Sequence, residues 1–220
     1  MSYYARLKGL DVTVGAEVRP SSLAQAMGTP LNQRAAAACF GCHSTKGVEG
    51  FKIFFDRVEA GIQCERCHTS AGAHAAAAAA GKLVASGVPR KAPAEEMTEF
   101  CGSCHRTWQQ VKELGIRGVA NVRFQPYRLV MSPCYSPEDE RMGCTACHDP
   151  HTEAGTDTAM YDAKCNACHV KTRAKAIKTC RVGKANCAGC HMPKIEIPGA
   201  HAAFTDHMIR VVRRNRPYPE

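Results

Sequence analysis

Cys144-Thr-Ala-Cys147-His148-Asp-Pro-His151, Cys165-Asn-Ala-Cys168-His169 and Cys187-Ala-Gly-Cys190-His191-Met192-Pro193-Lys194 follow one another, with His201 and His207 close behind. This stretch holds three copies of Cys-x-x-Cys-His and three further histidines. In each copy two cysteine sulfurs are spaced to bond the vinyl carbons of one haem, while the next histidine reaches its iron.

Working outward, three more copies lie upstream: Cys39-Phe-Gly-Cys42-His43, Cys64-Glu-Arg-Cys67-His68 and Cys101-Gly-Ser-Cys104-His105. A single Cys-x-x-Cys is equally half of a zinc ribbon or a redox dithiol. Neither of those needs a histidine directly after the second cysteine, and here it follows all six times. Twelve of the fourteen cysteines are used in this way, and six haem c groups are the expected cofactors.

Composition agrees with a cofactor-filled core. With 220 residues, 6% aromatic residues and a mean hydropathy of −0.30, the chain has thin material for a core of its own. The expected fold is mainly α with much irregular coil and few or no strands, a single haem-cored module with candidate halves at 1–110 and 111–220. The boundary is expected in the proline-punctuated loop Gly87 to Pro93 or after His105.

The formal charge of +9 invites a nucleic-acid reading. Two propionates per haem would add roughly −12, offset by up to about +6 on ferric porphyrins, so nucleic acid is not expected as a partner. Cysteine usage points outside the cytoplasm, to the periplasm or the cell surface. The opening Met1-Ser-Tyr-Tyr-Ala-Arg-Leu has no signal-peptide pattern, so an upstream segment is expected. No apolar run approaches the roughly twenty residues of a transmembrane helix.

Locally, Tyr3 to Val18 suits a short strand or extended segment. Ser21 to Met27 suits a serine-capped helix ended by Pro30, and Leu31 to Cys39 a second helix that delivers the first motif. Phe51 to Val58 is apolar enough to cover a haem face, Ala75 to Ala80 continues as helix, and Glu95 to Trp108 reads as a helix. Gly115 to Val130 reads as loop with a short strand. Trp108, the one tryptophan, suits a plane stacked on haem or core.

Six haems need six proximal histidines: His43, His68, His105, His148, His169 and His191. Of the ten histidines this leaves His74, His151, His201 and His207 as distal candidates. His151 is too near His148 to take the opposite face of the same iron but can reach a neighbouring haem. Two irons then need methionine, another residue, water, a partner, or a histidine upstream. Met27 and Met131 are the first methionines to consider, although ordinary apolar filler is the better explanation of any one of them. Cys134 and Cys180, outside the motifs, form the candidate disulfide, with two separate thiols as the alternative.

Gly61-Ile-Gln-Cys-Glu-Arg-Cys-His with His74, Cys147-His-Asp-Pro-His151, and Cys190-His-Met-Pro-Lys194 followed by Phe204-Thr-Asp-His207-Met-Ile-Arg210 resemble bacterial multihaem cytochromes of the cytochrome c554 and doubled Cys-x-x-Cys-His group. That group is related in haem arrangement to pentahaem nitrite reductases and hydroxylamine oxidoreductases. The resemblance implies parallel-stacked and perpendicular haem pairs, and distal roles for His74, His151 and His207. It does not imply either catalysis, because no Cys-x-x-Cys-Lys occurs and no counterpart of the cross-linking tyrosine is found.

The expected function is therefore electron transfer along the haems to redox proteins or extracellular acceptors. A variant is a filament, or nanowire, in which end haems of neighbouring copies stack. The alternative is reduction or oxidation of a small nitrogen or sulfur oxyanion at one open iron.

Overall fold

The computed structural model describes residues 1–14, 16–82, 92–169, 180–213, 215 and 218, and divides into two compact units, residues 1–15 with 93–220 and residues 16–92. The expected boundary loop from Gly87 lies largely outside the described residues. Helix and coil dominate, joined by strand pairs of only two or three residues.

The first unit begins with a hairpin, β1 (Ser2–Tyr4) against β2 (Gly9–Asp11), in the register Tyr3 to Leu10. This short strand pair falls where the alternation at the start of the chain predicts one.

Residues 16–92 hold α1 (Leu23–Ala26), α2 (Gln33–His43), β3 (Ser44–Lys46), β4 (Val48–Glu49), β5 (Lys52–Ile53), β6 (Glu59–Ala60), α3 (Cys64–Cys67) and α4 (Ala71–Ala79). Side-chain caps start both early helices: Ser22 Oγ accepts from the Gln25 N–H at 3.2 Å, and Asn32 Oδ1 from the Ala35 N–H at 2.9 Å. β4 and β5 form a hairpin whose two-residue turn needs Gly50 at φ 60°. Thr45 ties the sheet to α3, donating to the Gly61 carbonyl at 2.8 Å and accepting from the Gln63 N–H at 2.7 Å.

From residue 93 the first unit continues through α5 (Ala94–His105), α6 (Trp108–Leu114), α7 (Gln125–Leu129), α8 (Cys144–Cys147), α9 (Thr158–His169), α10 (Cys187–His191) and the hairpin β7 (Lys194–Glu196) with β8 (Ala203–Thr205). Two expectations need correction. The helix predicted through Trp108 stops at His105, because Arg106 takes φ 69° and Thr107 opens a new helix with a reciprocal capping box to Gln110. The predicted loop with a strand at 115–130 is instead a 3-10 turn (Gly118–Arg123) and α7, which Pro126 helps to start because its fixed φ suits a first helical turn.

The apolar interior is small. Ala37, Ala94, Val111, Val122, Phe124 and Leu129 are the buried apolar side chains among the described residues. The accessible surface of 16257 Å² compares with about 9,900 Å² for a folded protein of this mass. Polar locks compensate in part. The fully buried Arg128 meets the fully buried Asp206 in a bidentate pair at 2.8 and 2.9 Å. Arg210 adds a third contact to the same carboxylate at 2.7 Å, and the Tyr218 ring covers the Arg128 guanidinium at 4.1 Å.

Burial pushes the Asp206 carboxyl up, but the Arg128 bonds and the Met208 N–H outweigh it, so the pKa falls below the ordinary 3.8. Its contribution is thus complete above that value and is lost as pH falls through the depressed one. Asp206→Ala strands a buried guanidinium and is expected to cost about 3–5 kcal/mol, read from the denaturation midpoint. Asp206→Leu combined with Arg128→Met removes one of the two buried guanidiniums that Asp206 serves and leaves Arg210, so it should recover part of that loss, and should also flatten the acid-unfolding profile below pH 3.8.

Candidate cofactor-binding site

Every Cys-x-x-Cys pair forms one helical turn. Cys39 to His43, Cys101 to His105 and Cys165 to His169 are the last turns of α2, α5 and α9, while Cys187 to His191 makes up α10. α3 and α8 are themselves the Cys-x-x-Cys turn, and His68 and His148 cap them through N–H bonds to Cys64 at 2.8 Å and Cys144 at 3.0 Å. On a helix, positions i, i+3 and i+4 share one face. The two thiols and the imidazole of each motif therefore project to the same side.

The neighbourhood fits a flat apolar partner. Beside the first motif an apolar hollow is lined by Cys39, Phe40, His43, Ser44, Val58 and Ala60. Phe51, Phe55, Ile62, Phe100 and Met160 stand exposed near the motifs, although apolar side chains of this size are normally covered. Trp108, 47% exposed, stacks on Tyr127 at 5.1 Å and 21°.

Several histidines are oriented through Nδ1. His191 Nδ1 lies 2.9 Å from the Arg210 carbonyl and His207 Nδ1 3.0 Å from the Thr205 carbonyl. A carbonyl only accepts, so the proton sits on Nδ1 and Nε2 is left as a lone-pair donor for a metal. His105 Nδ1 meets Gln125 Oε1 at 3.2 Å in the same sense.

The distal candidates separate clearly. His207 faces His148, with ring centroids 6.1 Å apart and an interplanar angle of 32°. Burial pushes the pKa of both down, His105 adds to the effect at His148, and at His207 burial outweighs the opposing Thr205 carbonyl. Both are held as the neutral imidazoles that iron requires. His74 lies on α4, within the helix that follows the second motif. His151 is exposed, with Nδ1 3.2 Å from Asp149 Oδ1.

His201 differs. It takes φ 49°, packs edge-on against Tyr4 at 4.6 Å, and its Nε2 is bonded to Asp11 Oδ2 at 2.7 Å. Together with the Arg6–Glu196 ion pair, this contact fastens the β1–β2 hairpin to the β7–β8 region. The nitrogen that His207 leaves free is engaged in His201.

The methionine candidates also diverge. Met27 is the exposed C-cap of α1, whereas the Met131 and Met208 sulfurs lie 3.6 and 3.5 Å from the Arg128 guanidinium. Cys134 and Cys180, the candidate disulfide, are unlinked thiols in this structure. Cys134 lies within electrostatic reach of Cys165 and Cys168, and Cys180 accepts from the N–H groups of Gly183 and Val182.

Consecutive motifs also meet one another. The Cys144 thiol contacts that of Cys101, and the Cys187 thiol that of Cys165. In the unit 16–92, Arg66 Nη2 of the second motif donates to the Gly41 carbonyl of the first at 2.6 Å. Residues that motif reading passes over hold two of these meetings, Arg66 and Asp162, and Gln125 likewise orients the His105 ring. Their partners are remote in sequence, and no local signal marks them.

Comparison with known proteins points the same way. A family model described as cytochrome c554 and c-prime matches residues 14–69, which contain the first two motifs. The multiheme cytochrome MtrA of Shewanella baltica (strain OS185) is 26% identical over 153 residues, or 62% of this chain and 46% of that protein. The chain spans about half the length of this curated relative. No solved structure matches.

Two motif glycines have no room for a side chain. A Cβ on Gly102 would lie 2.4 Å from Thr107 Cγ2, and one on Gly189 2.4 Å from Asn186 Oδ1. Gly102→Ala must push against the buried cap of α6 and is expected to destabilise by about 1–3 kcal/mol. Gly189→Ala meets a side-chain tip that can turn aside and should cost less. Parallel denaturation curves of the two holoproteins check the order.

Proposed function

We propose that this chain is a bacterial multihaem c-type cytochrome that transfers electrons through six covalently bound haem c groups, one on each Cys-x-x-Cys-His motif. The observation that carries this reading is the contact of leading cysteines, Cys101 with Cys144 and Cys165 with Cys187. Groups tethered to touching sulfurs have their edges in close reach, which a relay needs. When bound, haem supplies the one-electron iron couple, and the polypeptide sets ligands, spacing and access.

In this reading Cys39, Cys42, Cys64, Cys67, Cys101, Cys104, Cys144, Cys147, Cys165, Cys168, Cys187 and Cys190 are the attachment points. His43, His68, His105, His148, His169 and His191 are the proximal ligands. His148 and His207, whose ring centroids stand 6.1 Å apart, would together supply the protein ligands of the fourth haem's iron. His74 and His151 serve other irons. The protein works outside the cytoplasm, with redox proteins or extracellular acceptors as partners, and end-to-end stacking of copies is a variant of the same relay.

A second reading, an oxyanion reductase with one open iron, is favoured by one observation. The Asp11–His201 bond engages the His201 Nε2. Irons without a histidine on their second face then rise from two to three.

The test is the visible spectrum of the dithionite-reduced holoprotein before and after carbon monoxide, normalised to haem count by intact mass. A mass with six haems and no carbon monoxide binding supports the closed relay, and binding by about one haem in six supports the reductase. His207→Ala is expected to add one haem equivalent that binds carbon monoxide, while His201→Ala adds none. Equal effects of the two substitutions would overturn these ligand roles.

A further inference from the structure

Asp162 sits on the face of α9 one turn before Cys165 and is buried. Its carboxylate does not serve its own helix. It accepts from the N–H of Asn186 at 2.6 Å and from the N–H of Cys187 at 2.7 Å, the two residues that open α10. Asn186 holds φ 56° and makes no side-chain cap, so Asp162 supplies from a different helix the acceptor that α10 lacks. Two charge-assisted bonds from one planar group fix orientation as well as distance. They also join the helix carrying the fifth motif to the first residue of the sixth, where the Cys165 and Cys187 thiols touch.

We propose that Asp162 is a positioning residue that sets the spacing between the haems carried by α9 and α10 and holds down the potential of that pair. The inference rests on the reading that these two motifs carry haem. Spacing matters because electronic coupling between two redox groups falls steeply with separation, and α10 is too short to hold itself in place. Potential matters because a carboxylate favours ferric iron, with its extra positive charge, over ferrous iron. The Cys187 N–H chiefly, against a smaller effect of burial, keeps the Asp162 carboxyl below its ordinary pKa, so the charge is present at neutral pH.

The experiment compares wild-type holoprotein with Asp162→Asn and Asp162→Ala. Peptide mapping of the wild type comes first: unmodified Cys165–Cys168 or Cys187–Cys190 peptides would overturn the haem reading beneath the proposal. With both peptides carrying haem, potentiometric titration and the split Soret circular dichroism signal, which reports on haem-to-haem coupling, test the proposal itself. Both variants remove the charge, so two haem potentials should rise in each while the others stay. Asn keeps one acceptor, so its Soret couplet should weaken in part, and that of the Ala variant should collapse. Potentials and couplets that overlay those of the wild type sink the proposal, as does an equal shift of every haem. Loss of a haem from both variants also sinks it, since Asp162 would then serve attachment rather than spacing.

Discussion

The polypeptide cannot build its own interior, and the rest of the structure follows from that shortage. Six apolar side chains are buried among the described residues, while Phe51, Phe55, Phe100 and Trp108 remain at the surface. Burial of apolar area is the main favourable term in folding, and a chain that buries so little must draw it from another source. Flat apolar groups bonded through the motif cysteines would provide such a source. Among the described residues every sheet is a pair of short strands, and two of the motifs are helices of a single turn.

Polar contacts then take over the task of specificity that a packed core would perform. The Arg128–Asp206–Arg210 cluster, the Thr45 bridge, the Arg66 contact and the Asp162 carboxylate each join segments that have little apolar surface to share. Such buried charged pairs add modestly to stability but penalise every arrangement in which one partner is left alone. In this chain that penalty selects which turn lies beside which. The Nδ1 bonds of His191 and His207 carry the same logic down to the direction of single imidazole rings.

The sequence made legible what depends on near neighbours. Cys-x-x-Cys-His reads as one turn because its geometry is complete within five residues, and a serine cap before α1 and a short strand near the start were legible for the same reason. The break at Arg106 was not, because a left-handed arginine has no compositional mark and the Thr107–Gln110 capping box sits inside an otherwise continuous helical pattern. The meeting of His148 with His207, and of Asp162 with Asn186, depends on chain return over many residues. Spacing could nominate His207 but could not say which ring it would face.

The clasp at the two ends of the first unit bears on how the molecule is made. Tyr4 and Asp11 belong to the first hairpin, yet their partner His201 lies 190 positions beyond Asp11, as Glu196 lies beyond Arg6. Every motif cysteine falls between these contacts. The hairpin can form locally and early, but it must wait unattached until the last hairpin arrives, and contacts of such long sequence range form slowly. A clasp of such long sequence range, closing late, leaves the motif cysteines between its two halves accessible for haem attachment until those halves meet.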